Sequence, residues 1–400
     1  MILPTIIESL KGPRSVSRNS VLLVLMPILV LALLGLDLLS VQPNRIAAGQ
    51  GYSLIDIVGV GVAMLLALLP ISVILLAWKE TKGRLWLCLG LVTLMLLAMP
   101  WGIAWFSSVS IGEDQPYARV GLGSGLWVML FLLMLMMIEL KGRLSLSRFL
   151  WAGLWLVILG STLAAILGGW LDPLSLMQEY RSRSDQFIEA LRYHALLVGT
   201  AVGISLFVAA GLCLAMRRSQ ALRGGVFSLL SIIQTIPSLA LFGLLLAPLA
   251  WLGATYPWLG EMGVQGIGWT PALLALIGYS LLPMTRNAYV ALDGVEANLI
   301  ESARGMGMSP RQIFLQVRLP LALPVMIEGV RITSVQAIGL AAVAALIGAG
   351  GLGTFIFQGL GQAAMDMVLL GALPIILMAL IVDGLLSALS ASLRKGRLNG

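Results

Sequence analysis

Residues 301–324 read ESARGMGMSPRQIFLQVRLPLALP, a run that mixes charges, glycines and prolines in a chain that is otherwise mostly apolar. Just upstream, Asp293 and Glu296 stand three apart, the spacing of a capping box, so a helix is expected to start over DGVE. Leu299, Ala303 and Met306 recur at helical spacing with Ile300 beside them and Glu301 and Arg304 opposite, which predicts a short amphipathic helix over residues 293–308. Gly305 and Gly307 permit a left-handed turn at its end. Ser309, Pro310 and Gln312 then supply an N-cap, a proline at the first helical position and a side chain that can reach back, so a second helix opens and runs into Leu319 and Pro320. A helix this short cannot bury its apolar stripe alone in water; it needs the rest of the protein, a partner or a lipid surface.

The surroundings explain why the run stands out. Of 400 residues, 59% are hydrophobic and only 11% are charged, with a mean hydropathy of +0.99, far from the range of a soluble domain. Apolar stretches long enough to cross a hydrocarbon core roughly 30 Å thick recur along the chain. Ten are expected, over residues 20–41, 54–77, 85–106, 122–138, 149–170, 195–216, 226–250, 270–290, 320–345 and 367–390. The fold class is therefore all-α, a polytopic integral membrane protein of about ten transmembrane helices. With the N-terminus placed inside, five basic residues (Arg45, Arg119, Arg181, Arg183 and Arg192) face out and Arg331 falls within a span, which leaves nineteen of the 25 on the cytoplasmic side. Both termini and the opening stretch are then cytoplasmic. The net charge of +7 is accounted for by this asymmetry and needs no nucleic acid. The first apolar run is followed by no close cleavage site and reads as an uncleaved anchor.

The character of the chain changes near residue 172. Residues 1–172 hold five spans with short loops and many Leu and Trp, an N-terminal membrane extension. A polar stretch, EYRSRSDQFIEALRYH, then opens a second domain, residues 173–400, rich in small residues and with Pro237, Pro248, Pro283, Pro324 and Pro374 inside its spans. Prolines in a span are tolerated where neighbouring helices or a wet cavity satisfy the freed backbone groups, which suits a pathway. Gln234, Thr235, Pro237, Ser238, Tyr279, Ser280, Asn287 and Gln336 are candidate pathway residues in this half. Interhelical hydrogen bonding is the alternative role for the polar ones.

Other patterns carry less. Cys88 and Cys213 lie far apart within spans and read as buried thiols, and no metal-type spacing of Cys, His or carboxylates occurs. Glu328 and Arg331, three apart, can neutralise each other on one helix face. His194, the single histidine, is expected to pack at a membrane interface, and tryptophans 151, 170, 251, 258 and 269 near span ends read as an aromatic belt. GAGGLG at 348–353 follows a span rather than a strand, so it is a turn and no dinucleotide fingerprint; no GxxxxGK[ST] occurs either.

One resemblance brings these features together. Glu301-Ser302-Ala303, three residues, Gly307, nine residues, then Val317-Arg318-Leu319-Pro320 resembles the EAA motif of ABC importer permeases, with Ser302 and Val317 as mild departures. SIIQTIPSLALFGLL (231–245), YSLLPMTRNAY (279–289), VRLPLALPV (317–325) and AALIGAGGLGTFIFQGL (344–360) are similar to the osmoprotectant branch of that family, over residues 190–392. The five-span extension is similar to glycine betaine permeases with an enlarged membrane domain.

The resemblance implies a type I ABC importer permease core in a bacterial inner membrane, carrying glycine betaine or a related quaternary-ammonium solute and doing no covalent chemistry itself. Glu301, Ser302, Ala303, Gly305, Gly307, Ser309, Pro310, Leu319 and Pro320 are then the ATPase-coupling residues. The implied partners are two ABC ATPase subunits that use ATP and Mg, a second permease subunit (the same or a different chain, the hetero-pair being preferred) and an extracytoplasmic solute-binding protein. The chain itself is expected to hold no cofactor and no metal. The rival expectation is an ion-coupled secondary transporter, for which Asp37, Glu328 and Asp383 are candidate buried acids.

Overall fold

The computed structural model describes residues 18–395 apart from 46, 113, 114 and 116. The chain packs as two compact units, Met1–Arg181 and Ser182–Gly400.

In the first unit, Asn19 starts helix α1 (Ser20–Gly35): its Oδ1 accepts from Leu22 N at 3.0 Å and its Nδ2 donates to Glu139 Oε1 at 3.2 Å, so this fully buried amide is satisfied on both ends. Four longer helices follow: α2 (Leu54–Ala77), α3 (Lys82–Ser110), α4 (Ser124–Leu144) and α5 (Arg148–Leu167). Their shared core is aliphatic and Met-rich, with Leu22, Met26, Leu133, Met136, Met137 and Leu140 fully buried. Helix α2 breaks at Gly59, whose φ of 76° only glycine adopts at low cost.

The all-α expectation meets one local addition. Strand β1 (Leu39–Gln42) pairs antiparallel with β2 (Gln50–Tyr52) and β3 (Arg119–Leu122), Leu39 lying opposite both Tyr52 and Leu122. These strands come from the segments that join α1 to α2 and α3 to α4, so one small sheet ties two loops together. Leu39–Gln42 also corrects the first expected span, which ends as helix at Gly35 and not at 41. A short helix, α6 (Ser175–Ser182), completes this unit and carries Glu179, buried and paired with Arg45 and Arg119 at 2.9 Å each.

The second unit begins with α7 (Ser184–Met216) and α8 (Gln220–Thr235), followed by α9 (Ser238–Thr255), the short α10 (Pro257–Glu261) and α11 (Trp269–Asp293). A small helical hairpin then leads into α14 (Leu319–Val343), a 3-10 turn (Ala344–Ile347), α15 (Gly353–Gly361) and α16 (Met365–Lys395). Helix α11 packs against α7 and α14, and α14 against α16. Ala201, Ala272, Ala275, Ala337 and Ala341 are almost fully buried among these helices, small side chains that let backbones approach closely in the absence of a hydrophobic drive.

Eight helices among the described residues are long and apolar enough to cross a membrane, fewer than the ten expected. Helix α1 has only 16 residues, and α11 carries Thr270, Tyr279, Ser280, Thr285, Arg286 and Asn287, which lower its hydropathy. The expected span 226–250 is two helices rather than one. Pro237 has no N–H and drives the residue before it out of the helical region, and Ile236 stands at φ −71°, ψ 127°.

Candidate functional site

The hairpin between α11 and α14 consists of α12 (Ala297–Gly305), α13 (Pro310–Gln312) and a π-helical stretch, Ile313–Arg318. The expected capping box at its start does not form. Asp293 is the last residue of α11, and Glu296 is itself the N-cap of α12 with no side-chain bond. The helix therefore begins at 297 and not at 293.

The apolar face is also turned relative to expectation. Ile300 and Ala303 are buried with Ile313, and Val295, Met308 and Val317 pack around them, so the hairpin owns a core. Leu299 and Met306 point outward, 44% and 75% exposed, beside the exposed Glu301, Ser302 and Arg304. Leu299, Ser302 and Met306 lie at i, i+3 and i+7, one face of the helix. That face carries two large apolar side chains that this chain does not cover.

Helix α12 closes with a complete Schellman motif. Gly307 N donates to Arg304 O at 3.0 Å and Met308 N to Ala303 O at 3.2 Å, with Gly307 at φ 82°. Gly305 stays helical and exposed, so of the two glycines only Gly307 makes the left-handed turn. The Ser309 box forms as the sequence predicts: Ser309 N donates to Gln312 Oε1 at 2.8 Å and Gln312 N to Ser309 Oγ at 3.4 Å, with Pro310 at the first helical position. The π-helical stretch ends immediately before Leu319 and Pro320, with Leu319 N bonding back to Phe314 O, five residues earlier. Pro320 offers no N–H and its ring crowds the carbonyl four residues before it; a widened turn at this point relieves that crowding.

The candidate pathway residues do not form one cluster. At the α8–α9 break, Tyr279 Oη donates to the carbonyl of Ile236, and Gln234 Nε2 donates to the carbonyl of Tyr279 at 3.4 Å, so α11 supplies a donor to a carbonyl left outside the helix by the break. Thr235 bonds locally to Ile232 O at 2.7 Å, and Ser238 at the start of α9 is half-buried. Ser280 is buried in α11. Asn287, two turns further on, packs so closely on Gly329 that a β-carbon there would lie 2.7 Å from Asn287 Cβ. Gln336 lies exposed on α14.

Three features were missed or misplaced by sequence reasoning. His194 is fully buried within the protein; its Nε2 lies 3.1 Å from Ile338 O and a β-carbon on Gly351 would come within 3.2 Å of its Nδ1. The GAGGLG turn holds Gly348, Gly350 and Gly351 at positive φ and, with Gln186, Glu189 and Tyr193, lines a cavity of about 240 Å3. Glu328 and Arg331 pair at 2.8 Å as expected, but the pair belongs to a larger cluster: Arg331 also meets Asp383 at 2.7 Å and Arg394 meets Glu328 at 3.1 Å. Glu328 and Asp383 are thus both ion-paired, and Asp37 lies outside the helices, between α1 and β1, so nothing here supports an ion-coupled transporter. Both cysteines are free and buried, and no metal-holding group of His, Cys, Asp and Glu occurs among the described residues.

Comparison with known proteins places the chain in a family. Residues 203–395 match the family described as binding-protein-dependent transport system inner membrane component, and residues 17–177 match the N-terminal domain of ABC transporter permease YehY. The chain is 39% identical over 182 residues to the carnitine transport permease protein OpuCB of Listeria monocytogenes, covering 46% of this chain and 75% of that protein. It is 38% identical over 200 residues to the osmoprotectant import permease protein OsmW of Salmonella typhimurium, 50% of this chain and 88% of the relative. The choline transport system permease protein OpuBB of Bacillus subtilis is 36% identical over 191 residues, 48% of this chain and 80% of that one. Among solved structures, a chain of the inward-facing MetNI methionine ABC transporter overlays with a TM-score of 0.44 at 19% identity, over 53% of this chain and 98% of that one. This chain belongs to the family of ABC importer permeases, the binding-protein-dependent transport inner membrane components, and carries in front of that domain a second one of the YehY N-terminal type.

Proposed function

We propose that this permease takes up a quaternary-ammonium compatible solute, of the glycine betaine, carnitine and choline class, across a bacterial inner membrane, and that α12 is its coupling helix. The observation that carries the coupling role is the hairpin of residues 295–318, which is held together by Ile300, Ala303 and Ile313 while Leu299 and Met306 stay uncovered. A helix with its own core and a second apolar face is built to be gripped by another protein. The solute class rests on the relatives, whose names give carnitine, osmoprotectants and choline.

In this reading a separate pair of ATPase subunits grips the Leu299–Met306 face and uses ATP and Mg. A second permease subunit completes the membrane unit, and an extracytoplasmic binding protein delivers the solute. Closure of the ATPase pair moves α12 as a body and, through the π-helical stretch and Pro320, biases α14 between inward- and outward-facing arrangements. Both termini lie in the cytoplasm, following the excess of basic residues in the loops assigned to that side. The N-terminal domain, residues 1–172, precedes the transport core of residues 173–400 in the chain and is not needed for ATPase docking.

The test is uptake in proteoliposomes that contain the whole complex. ATP-dependent accumulation of labelled substrate, competed by glycine betaine, carnitine or choline and insensitive to an uncoupler, is the expected result. Competition by none of them refutes the solute class, and uptake without ATP refutes the importer mechanism.

A further inference from the structure

Beside α12 lies a cavity of about 430 Å3 whose polar lining is three arginines: Arg217, Arg304 and Arg318. Its floor is apolar, formed by Ile300, Ile313 and Phe314. Among the described residues none of the three guanidiniums makes an ion pair. Arg318 Nε is shielded from solvent with no hydrogen-bond partner, and Arg217 sits 5.9 Å from the Phe314 ring centroid. Three positive charges gathered around one hollow repel one another, and a buried guanidinium N–H without an acceptor is costly. Such a cavity is complementary to an oxyanion.

We infer that this cavity binds the phosphate of an anionic phospholipid headgroup. Placement selects that source over a free anion. Arg217 caps the 33-residue α7, a candidate span, and Arg318 lies near the start of the candidate span Pro310–Ile347, directly before its apolar part α14, so two of the three arginines stand near the polar ends of spans, the level suited to headgroups. The apolar floor suits the glycerol and the first methylenes of a lipid, which an inorganic ion does not supply. Arg304 belongs to α12, so a bound headgroup bridges the hairpin to the end of α7 and fixes its orientation. The inference needs only a chain in a bilayer; it does not rest on the solute or on the ATPase.

The full-length protein, purified in mild detergent, is incubated with phosphatidylglycerol or phosphatidylcholine of the same acyl chains, and retained lipid is read by native mass spectrometry. Phosphatidylglycerol is retained in preference. Replacing all three arginines (Arg217→Gln, Arg304→Gln, Arg318→Gln) lowers its retention roughly tenfold or more, from the loss of three basic contacts. Each single change lowers it by less, which keeps the test informative if the triple variant does not fold. Arg311→Gln, on the same hairpin but outside the cavity lining, leaves retention unchanged. Equal retention of the two lipids overturns the inference, as does an Arg311→Gln loss as large as that of the triple variant. Displacement of the lipid by millimolar inorganic phosphate assigns the cavity to a free anion instead. Variants that keep the lipid but no longer capture ATPase subunits assign it to a partner's carboxylate, which also overturns the lipid reading.

Discussion

Met308 N–H donates to the carbonyl of Ala303 at 3.2 Å, spanning Gly307, and Met308 packs against the hairpin core to which Ala303 belongs. This bond reverses the chain between α12 and Ser309 and sets the angle at which the exposed face of α12 is presented. It exists only because Gly307 holds φ 82°. A β-carbon there would meet nothing within 4 Å, so the cost of any side chain is a backbone cost, about 1 kcal/mol or more and higher for a β-branched residue.

Gly307→Val is therefore expected to leave expression and insertion near wild type while weakening ATPase association and uncoupling hydrolysis from uptake. Gly307→Asn, which tolerates the left-handed region, should be markedly milder. Parallel measurement of substrate-stimulated ATP hydrolysis and uptake separates the two variants; full coupled activity in Gly307→Val would remove the coupling role from this turn.

The local grammar of this hairpin was legible where a residue acts on its immediate neighbours. Ser309, Pro310 and Gln312 form their cap because all the partners lie within three residues, and Gly307 turns because nothing but its own φ decides it. The start of α12 was not legible, since Asp293 fits a cap equally well as it fits the end of α11, and only the length of α11 settles which. The same holds for the apolar stripe. Leu299 and Ile300 are adjacent, and which of them faces inward depends on Ile313, Met308 and Val317 across a turn. At larger scale, the apolar runs show the helices, yet the three-stranded sheet was hidden because its strands are short and β1 pairs with β3 across about eighty residues of chain. The break at Pro237 was visible as a proline; that Tyr279 would repair it was not.

Arg331 sits between Glu328 and Asp383 and is about 30% exposed, so its pairs are neither free surface pairs nor fully desolvated. Arg331→Met leaves Asp383 without its cation and Glu328 with Arg394 alone. A loss of roughly 1–3 kcal/mol is expected, between the values for surface and buried pairs. Thermal unfolding of the detergent-purified protein measures it, and Arg331→Met with Asp383→Asn should recover part of the loss. No recovery would mean that the two side chains do not interact energetically.

Tyr279 offers a sharper test of the α8–α9 break. Its hydroxyl donates to the carbonyl of Ile236, which the helix leaves unpaired when Pro237 follows. Tyr279→Phe keeps the ring and removes that donor, at an expected cost of about 1–2 kcal/mol if no water replaces it. Pro237→Ala, by returning an N–H, lets the two helices join. If the break serves transport, Pro237→Ala should lower uptake while raising thermal stability, whereas Tyr279→Phe should lower both. Unchanged uptake in Pro237→Ala would reduce the break to a structural detail.

The two faces of α12 make opposite predictions for the same kind of substitution. Ile300 is 8% exposed and sits in the hairpin core with Ala303 and Ile313, whereas Met306, six residues on, is 75% exposed. Ile300→Asp buries a charge that has no partner and should disrupt the hairpin, giving protease sensitivity near residue 307 as well as loss of ATPase binding. Met306→Asp leaves every contact within the chain intact. It should therefore fold, resist protease like the parent and still fail to hold the ATPase, because a carboxylate then stands where an apolar contact is required; Leu299→Asp should behave the same way. Limited proteolysis and co-purification, run side by side on the three variants, decide the matter. If Met306→Asp and Leu299→Asp both retain the ATPase at parental levels, the exposed face of α12 is not the docking surface, even though the hairpin is folded as described.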